Sequence, residues 1–95
     1  MAASFEWDAA KDAANQRKHG VSFGEAQFAF LDAARVIAKD ISHSGTEERW
    51  YCFGVVADRV MTVRFIYRDG KIRIFGAGYW TKGRKIYEAQ TQVHE

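Results

Sequence analysis

Lys11, Asn15 and Lys18 recur at steps of four and three in a segment that opens Phe5-Glu6-Trp7-Asp8 and closes Lys18-His19-Gly20-Val21-Ser22-Phe23. On a helix the three share one face, with Trp7 just ahead of it, and such a stripe of ammonium and amide groups can hold a phosphate backbone. Such a stripe is more often simply the solvated face of a helix. His19 is of the residue type whose unperturbed pKa, about 6.5, lets it take or give a proton at neutral pH. A histidine at a helix C-terminus is also explained by the helix dipole alone. Further on, Tyr79-Trp80-Thr81-Lys82 and Arg84 combine rings that can stack on unpaired bases with cations that can hold phosphates. The competing reading has Tyr79 and Trp80 anchoring the last helix on a sheet, and Trp7 faces the same choice. His43 and His94 have no Cys or His at metal-ligand spacing, so no zinc or other metal site and no cofactor is expected. Gly76 and Gly78 alternate along a strand instead of leading a helix, unlike a phosphate loop.

These residues need a scaffold, and 95 residues with 47% apolar and 15% aromatic content supply one core, hence one expected domain over 1–95. No run approaches the roughly 18–20 apolar residues that span a bilayer, and the N-terminus lacks the pattern of a secretory leader, so a cytoplasmic protein is expected. Cys52 is the sole cysteine; its apolar neighbours suggest a small core residue rather than a reactive thiol. The net charge of +2 and pI near 8.8 are too mild to argue nucleic-acid binding by themselves. The distribution is more telling: basic residues gather at Lys11 to Lys18, Arg64 to Arg73 and Lys82 to Lys85, whereas Asp40 and Glu47-Glu48 flank the middle loop. Folding the three basic segments together would make one positive surface.

Asp8 is an N-cap and Gly20 a C-terminal stop, which predicts a helix from about Ala9 to His19. Ser22 and Glu25 form a capping box that starts a second helix, expected to reach about Leu31 and to bury Phe23, Ala26 and Phe30. Val36-Ile37 predicts a short strand and Ser44-Gly45 a turn. From Arg49 the period becomes that of strands. Trp50 to Ala57 and Val60 to Arg68 form a hairpin about Asp58-Arg59, and Asp69-Gly70 turns the chain into Lys71 to Ala77. Alternation sets Met61, Val63, Phe65 and Tyr67 toward the core and Thr62, Arg64, Ile66 and Arg68 away from it. The last strand offers Ile72 and Ile74 to one side and Arg73 and Phe75 to the other. A helix from about Gly83 to Val93, capped by Thr81, carries Ile86, Ala89 and Val93 on its apolar stripe. The frayed parts should be the first and last few residues. The expected class is α+β, with two N-terminal helices, a three- to four-stranded antiparallel sheet and a C-terminal helix.

Lys18 to Phe23, Ser22-Phe23-Gly24-Glu25 with Phe28 and Phe30, Glu47-Glu48-Arg49, Arg68-Asp69-Gly70-Lys71-Ile72-Arg73-Ile74 and Lys85-Ile86-Tyr87-Glu88 follow in that order. Together they resemble the BrnT family of bacterial toxins, from about Phe5 to Glu88. The resemblance implies a RelE-like fold, ribonuclease activity that blocks translation, and neutralisation by a BrnA-type antitoxin, through which alone operator DNA would be reached. Such cleavage needs no metal, because the RNA supplies its own 2′-hydroxyl as nucleophile. The protein supplies a base, cations for the charged transition state, and an acid. Arg73, Arg68, His19 and Lys82 are the expected catalytic set. Trp7, Lys11, Lys18, Tyr79, Trp80 and Arg84 are the expected RNA-binding set. The alternative for Arg73 is a strand arginine paired with Glu47 or Glu48. Family members usually continue with Ile-Ser-Ala-Arg-Arg and then a glutamate. Here those arginines fall on Gly78 and Tyr79, and the glutamate on Gly83. Either Tyr79, Trp80, Lys82 and Arg84 take over their work, or the chain is an inactive module that binds the antitoxin and takes part in operon autorepression.

Overall fold

The Asp8 carboxylate accepts from the Lys11 N–H at 3.0 Å, and Gly20, at φ 70°, returns its N–H to Gln16 O. Helix α1 therefore spans Ala9–His19, as the two boundary residues dictate. Ser22 and Glu25 close the capping box with two 3.0 Å bonds, and Asp12 Oδ1 accepts from Phe23 N–H at 2.9 Å, fixing the α1–α2 corner. Helix α2 is only Phe23–Ala26; the chain tightens into a 3₁₀ helix over Gln27–Leu31 rather than continuing as the expected single helix. Asp32 ends it in extended geometry and accepts from Ala34 N–H, Val55 N–H and the Tyr87 hydroxyl, at 2.8, 2.9 and 2.6 Å. Burial opposes its ionisation, but these three donors outweigh burial and hold the carboxyl below the usual range. The Asp32 bond pushes the Tyr87 hydroxyl up to about 12.

The structure is a computed structural model that describes residues 4–91. Among these residues five strands form one mixed sheet in the order β1-β5-β4-β3-β2, with β1 Phe5–Trp7, β2 Val36–Asp40, β3 Arg49–Val56, β4 Arg59–Arg68 and β5 Lys71–Gly78. The expectation of three to four purely antiparallel strands is corrected at β1, which pairs in parallel with β5, Glu6 opposite Arg73. Three residues are too few to show a strand period, and the N-cap of α1 follows at once. The β3–β4 turn is Ala57-Asp58, one residue earlier than expected, with φ of 53° and 66° at the two positions, a primed turn whose twist suits a hairpin. Helix α3 spans Thr81–Thr91. The fraying expected at the ends, and the predicted places of Val93 and His94, fall outside the described residues. Among the described residues no helix is long and apolar enough to cross a membrane.

One face of the sheet carries the core: Phe23, Ala26 and Ala29 from the helical layer against Cys52, Met61, Val63, Phe65, Ile74 and Ala77. Burial pushes the Cys52 thiol up to about 12, as suits an inert packing residue. Tyr67 lies on this side as expected, edge-on to Phe65 and Trp50 at 5.2 and 5.8 Å, although exposed at the strand end, and Ala89 of α3 is exposed rather than on a buried stripe. Asn15 is the larger correction to the basic stripe. It is buried, donating through Nδ2 to Val21 O and Ala77 O at 2.8 and 2.9 Å and accepting from Ala77 N–H at 3.3 Å. It ties α1 to β5, so Lys11, Asn15 and Lys18 are not one solvent-facing row.

Candidate functional site

The second face of the sheet is covered only in part. Helix α3 lies on its β3–β4 end, where a Cβ at Gly83 would collide with Thr62 and press on Phe53. Without a side chain the helix backbone can approach the strands closely. Beyond α3 the strands present Arg49 from β3, Arg64 and Arg68 from β4, and Arg73 from β5, set on one face by the two-residue period and the strand register. A bulge at Arg64/Phe65 inserts Phe75 into β5 and leaves its ring on this face, with the Arg64 and Arg49 guanidinium carbons 5.0 and 5.4 Å from its centroid.

Carboxylates steady the cations. Arg73 Nη1 donates to Glu6 at 3.2 Å across the β1–β5 pair, and Arg68 makes a forked contact with Glu47 at 2.7 and 3.1 Å. The alternative that paired Arg73 with Glu47 or Glu48 thus gives way: Glu47 holds Arg68, Glu48 pairs with Lys39, and Arg73 takes Glu6. The Arg68 bond holds the Glu47 carboxyl below its ordinary value. A cleft of about 190 Å³ opens here, edged by Lys11, Arg49, Arg68 and Arg73 together with the carboxylates of Asp8 and Glu47.

At the end of β2 the face carries a second cluster. Asp40, 4% exposed, accepts from the Ser42 hydroxyl at 3.1 Å and from His43 N–H at 3.3 Å. His43 Nδ1 lies 3.1 Å from both Asp40 oxygens, and Arg64 Nη2 donates to Oδ2 at 3.5 Å. Burial works against the charge, but the bonds from His43, Tyr51 and Ser42 prevail and lower the carboxyl to about 2. A carboxylate that fixes Nδ1 orients the imidazole and leaves Nε2 to exchange a proton with a bound group, the arrangement of a positioned acid or base. Ser44 secures the loop, donating its hydroxyl to Asp40 O at 2.7 Å and accepting from Arg49 N–H at 3.0 Å.

Between this cluster and α3 runs a groove of about 550 Å³, with Tyr51, Phe53 and Arg64 on the sheet side and Trp80, Lys82 and Ile86 on the other. Trp80 folds back over the end of β5: a Cβ at Gly78 would sit 2.7 Å from the indole. His19 packs edge-on to the same indole at 5.0 Å.

Of the residues singled out from sequence, Arg68, Arg73 and Lys11 meet at the cationic cleft, and Trp80 and Lys82 at the groove. His19 is at the Gly78 end of β5 and supports Trp80, whereas Arg73 stands near the other end of that strand. Lys18 is exposed near the C-terminus of α1. Arg84 pairs with Glu88 along α3 at 3.2 Å, beside Arg59 in a separate cleft. Tyr79 donates its hydroxyl to Val56 O at 3.0 Å beneath the Arg59 guanidinium, a structural anchor. Trp7 packs edge-on to the buried Phe23 at 6.5 Å, so core packing is its role. Sequence reasoning did not single out Arg49, Tyr51, Phe75 or the Asp40–His43 pair. The signal present was an aspartate followed by Ser42-His43-Ser44, polar side chains suited to bonding a local turn. Among the described residues no three His, Cys, Asp or Glu side chains converge as a metal-binding set.

A family model described as ribonuclease toxin, BrnT, of type II toxin–antitoxin system matches residues 7–83. No curated protein matches the chain.

Proposed function

Since the chain belongs to the BrnT family of ribonuclease toxins of type II toxin–antitoxin systems, we propose that it cleaves RNA on the uncovered part of its sheet, without a metal, and thereby stops translation. The observation that carries this reading is the gathering of Arg49, Arg64, Arg68 and Arg73 on one face beside a carboxylate-held His43. The phosphate at the scissile bond sits in the cleft of Arg49, Arg68 and Arg73 and displaces Glu47 from the Arg68 fork, whose two donors then match its oxygens. The ribose 2′-oxygen attacks the adjacent phosphorus and loses its proton, the P–O5′ bond breaks, and the departing O5′ takes up a proton, leaving a 2′,3′-cyclic phosphate and a 5′-hydroxyl. The arginines stabilise the doubly charged transition state. His43 carries the proton in the role first expected of His19, and Lys82 at the groove rim holds a neighbouring phosphate.

The partner is an antitoxin of BrnA type that covers this cationic face and alone contacts operator DNA, and the site of action is the cytoplasm, where messenger RNA is translated. The experiment that tests the reading is controlled expression of the chain without its antitoxin, followed by mapping of RNA ends from the same cells. The expected result is growth arrest with new 5′-hydroxyl ends, reproduced by purified protein in the presence of a chelator. Gly78 and Tyr79 motivate a second reading, an inactive module that binds the antitoxin for autorepression, because neither position offers the cation usual in the family. Unimpaired growth with soluble, folded protein would favour it.

A further inference from the structure

We propose that the groove between Tyr51 and Trp80 is a subsite for one unpaired nucleobase of the RNA, next to the phosphate held by the arginines. The inference rests on the ribonuclease reading of that face. The groove is apolar on its walls, with Tyr51 and Phe53 stacked at 5.5 Å and 20° on the sheet side and Trp80 opposite. Lys82 and Arg64 stand at its rim, Arg64 being held by Asp40, and Lys39 borders it while paired with Glu48. An apolar groove with cations at its edge complements a ligand that alternates planar bases with anionic links, which is the chemistry of single-stranded RNA. An apolar protein side chain would fill the slot but leave Lys82, which forms no ion pair among the described residues, unanswered. The volume, about 550 Å³, lies within the range of small-ligand sites.

Gly78 and Trp80 act as a pair in this account. Any side chain at position 78 would enter the space of the indole, 2.7 Å away at its Cβ, so glycine there makes an aromatic wall possible where the family usually carries an arginine. His19, edge-on at 5.0 Å, holds the indole from another side. Loss of a cation at Gly78 is thus exchange of a phosphate contact for a base contact, and the subsite confers preference for the base beside the cut.

The test is binding of short RNAs in which the 2′-hydroxyls are methylated, so that binding is read without cleavage, with each of the four bases placed in turn at every position. The full chain is expected to discriminate among bases at one position. Trp80→Ala should flatten that discrimination and weaken binding roughly tenfold or more, with Trp80→Phe restoring part of both. Gly78→Ala, which displaces the indole without removing it, should reproduce the Trp80→Ala pattern. Thermal unfolding of each variant separates lost binding from lost fold. Equal binding of all four bases by the unaltered chain, or discrimination unchanged in both variants, overturns the proposal. So does a Trp80→Ala variant that loses antitoxin affinity alone. Base discrimination lost in the variants, in a protein that cleaves nothing, would uphold the subsite and sink the ribonuclease reading.

Discussion

On β4, Met61, Val63 and Phe65 are fully buried, while Arg64 and Arg68, on the same strand, point to a face that α3 covers only in part. The covered face satisfies its polar group completely: Asn15 exchanges three hydrogen bonds with α1's surroundings and β5. The other face does not. Among the described residues the buried side-chain polar atoms that lack a protein partner, Thr62 Oγ1 and Arg64 Nε, both belong to it. Thr62 Oγ1 lies beneath Gly83 of α3, and Arg64 Nε belongs to the part of the face beyond that helix. Alternation along one strand thus sets the packing residues on one side and the arginines on the other.

The division breaks if substitutions cross it. Phe65→Ala should cost about 3–5 kcal/mol, the range for emptying a fully buried aromatic site, measured by denaturant titration; RNA cleavage per folded molecule should stay near that of the unaltered protein. Arg73→Ala is the converse, and cleavage is expected to fall about 10²–10³-fold. Its pair with Glu6 is about 29% exposed on each side, and loss of such a pair should move stability by no more than about 1 kcal/mol. A large stability loss in Arg73→Ala would instead make that arginine structural.

Asp40 sharpens the comparison, since it is a buried charge on the functional side. Its folded-state value, about 2, lies below that of an unfolded aspartate, about 3.9. Its contribution is therefore complete above roughly pH 4 and is lost as pH falls toward 2, by about 2 kcal/mol. Asp40→Asn should remove that part of the acid sensitivity, which a series of melts between pH 2 and 6 would show. The smallest effect belongs to the β3–β4 turn, at the opposite end of the hairpin from Arg49 and Arg68. Ala57 holds a φ of 53°, a region asparagine tolerates better than alanine, so Ala57→Asn should raise stability by about 1 kcal/mol or less with cleavage unchanged.

Both ends of α1 and the start of α2 were legible because capping is local, with Asp8, Gly20, Ser22 and Glu25 each acting within a few residues. By contrast, α2 stops at Ala26 and α3 takes in Thr81, the residue expected as its cap. Face assignment on β4 was legible because its period is strict. Strand β1 was not, because its partner β5 lies more than sixty residues away in sequence and three residues carry no pattern. The same reason explains Asn15, whose role depends on Ala77. Arg68 and Arg73 were named through the family resemblance, and the structure places both at the cationic cleft. His43 was not legible, since its meaning comes from Asp40, Tyr51 and Arg64 converging from β2, β3 and β4, and single-chain spacing shows only a polar loop.

The location of RNA on the uncovered face is tested most directly by NMR, titrating isotope-labelled protein with a short 2′-O-methylated RNA and following backbone and arginine side-chain resonances. The account predicts that shifts concentrate at Arg49, Tyr51, Arg64, Arg73 and His43, with α2 and the core-facing residues Val63 and Ile74 little changed. Shifts confined to the exposed surface of α1 around Lys18, with the arginine face unmoved, would contradict it.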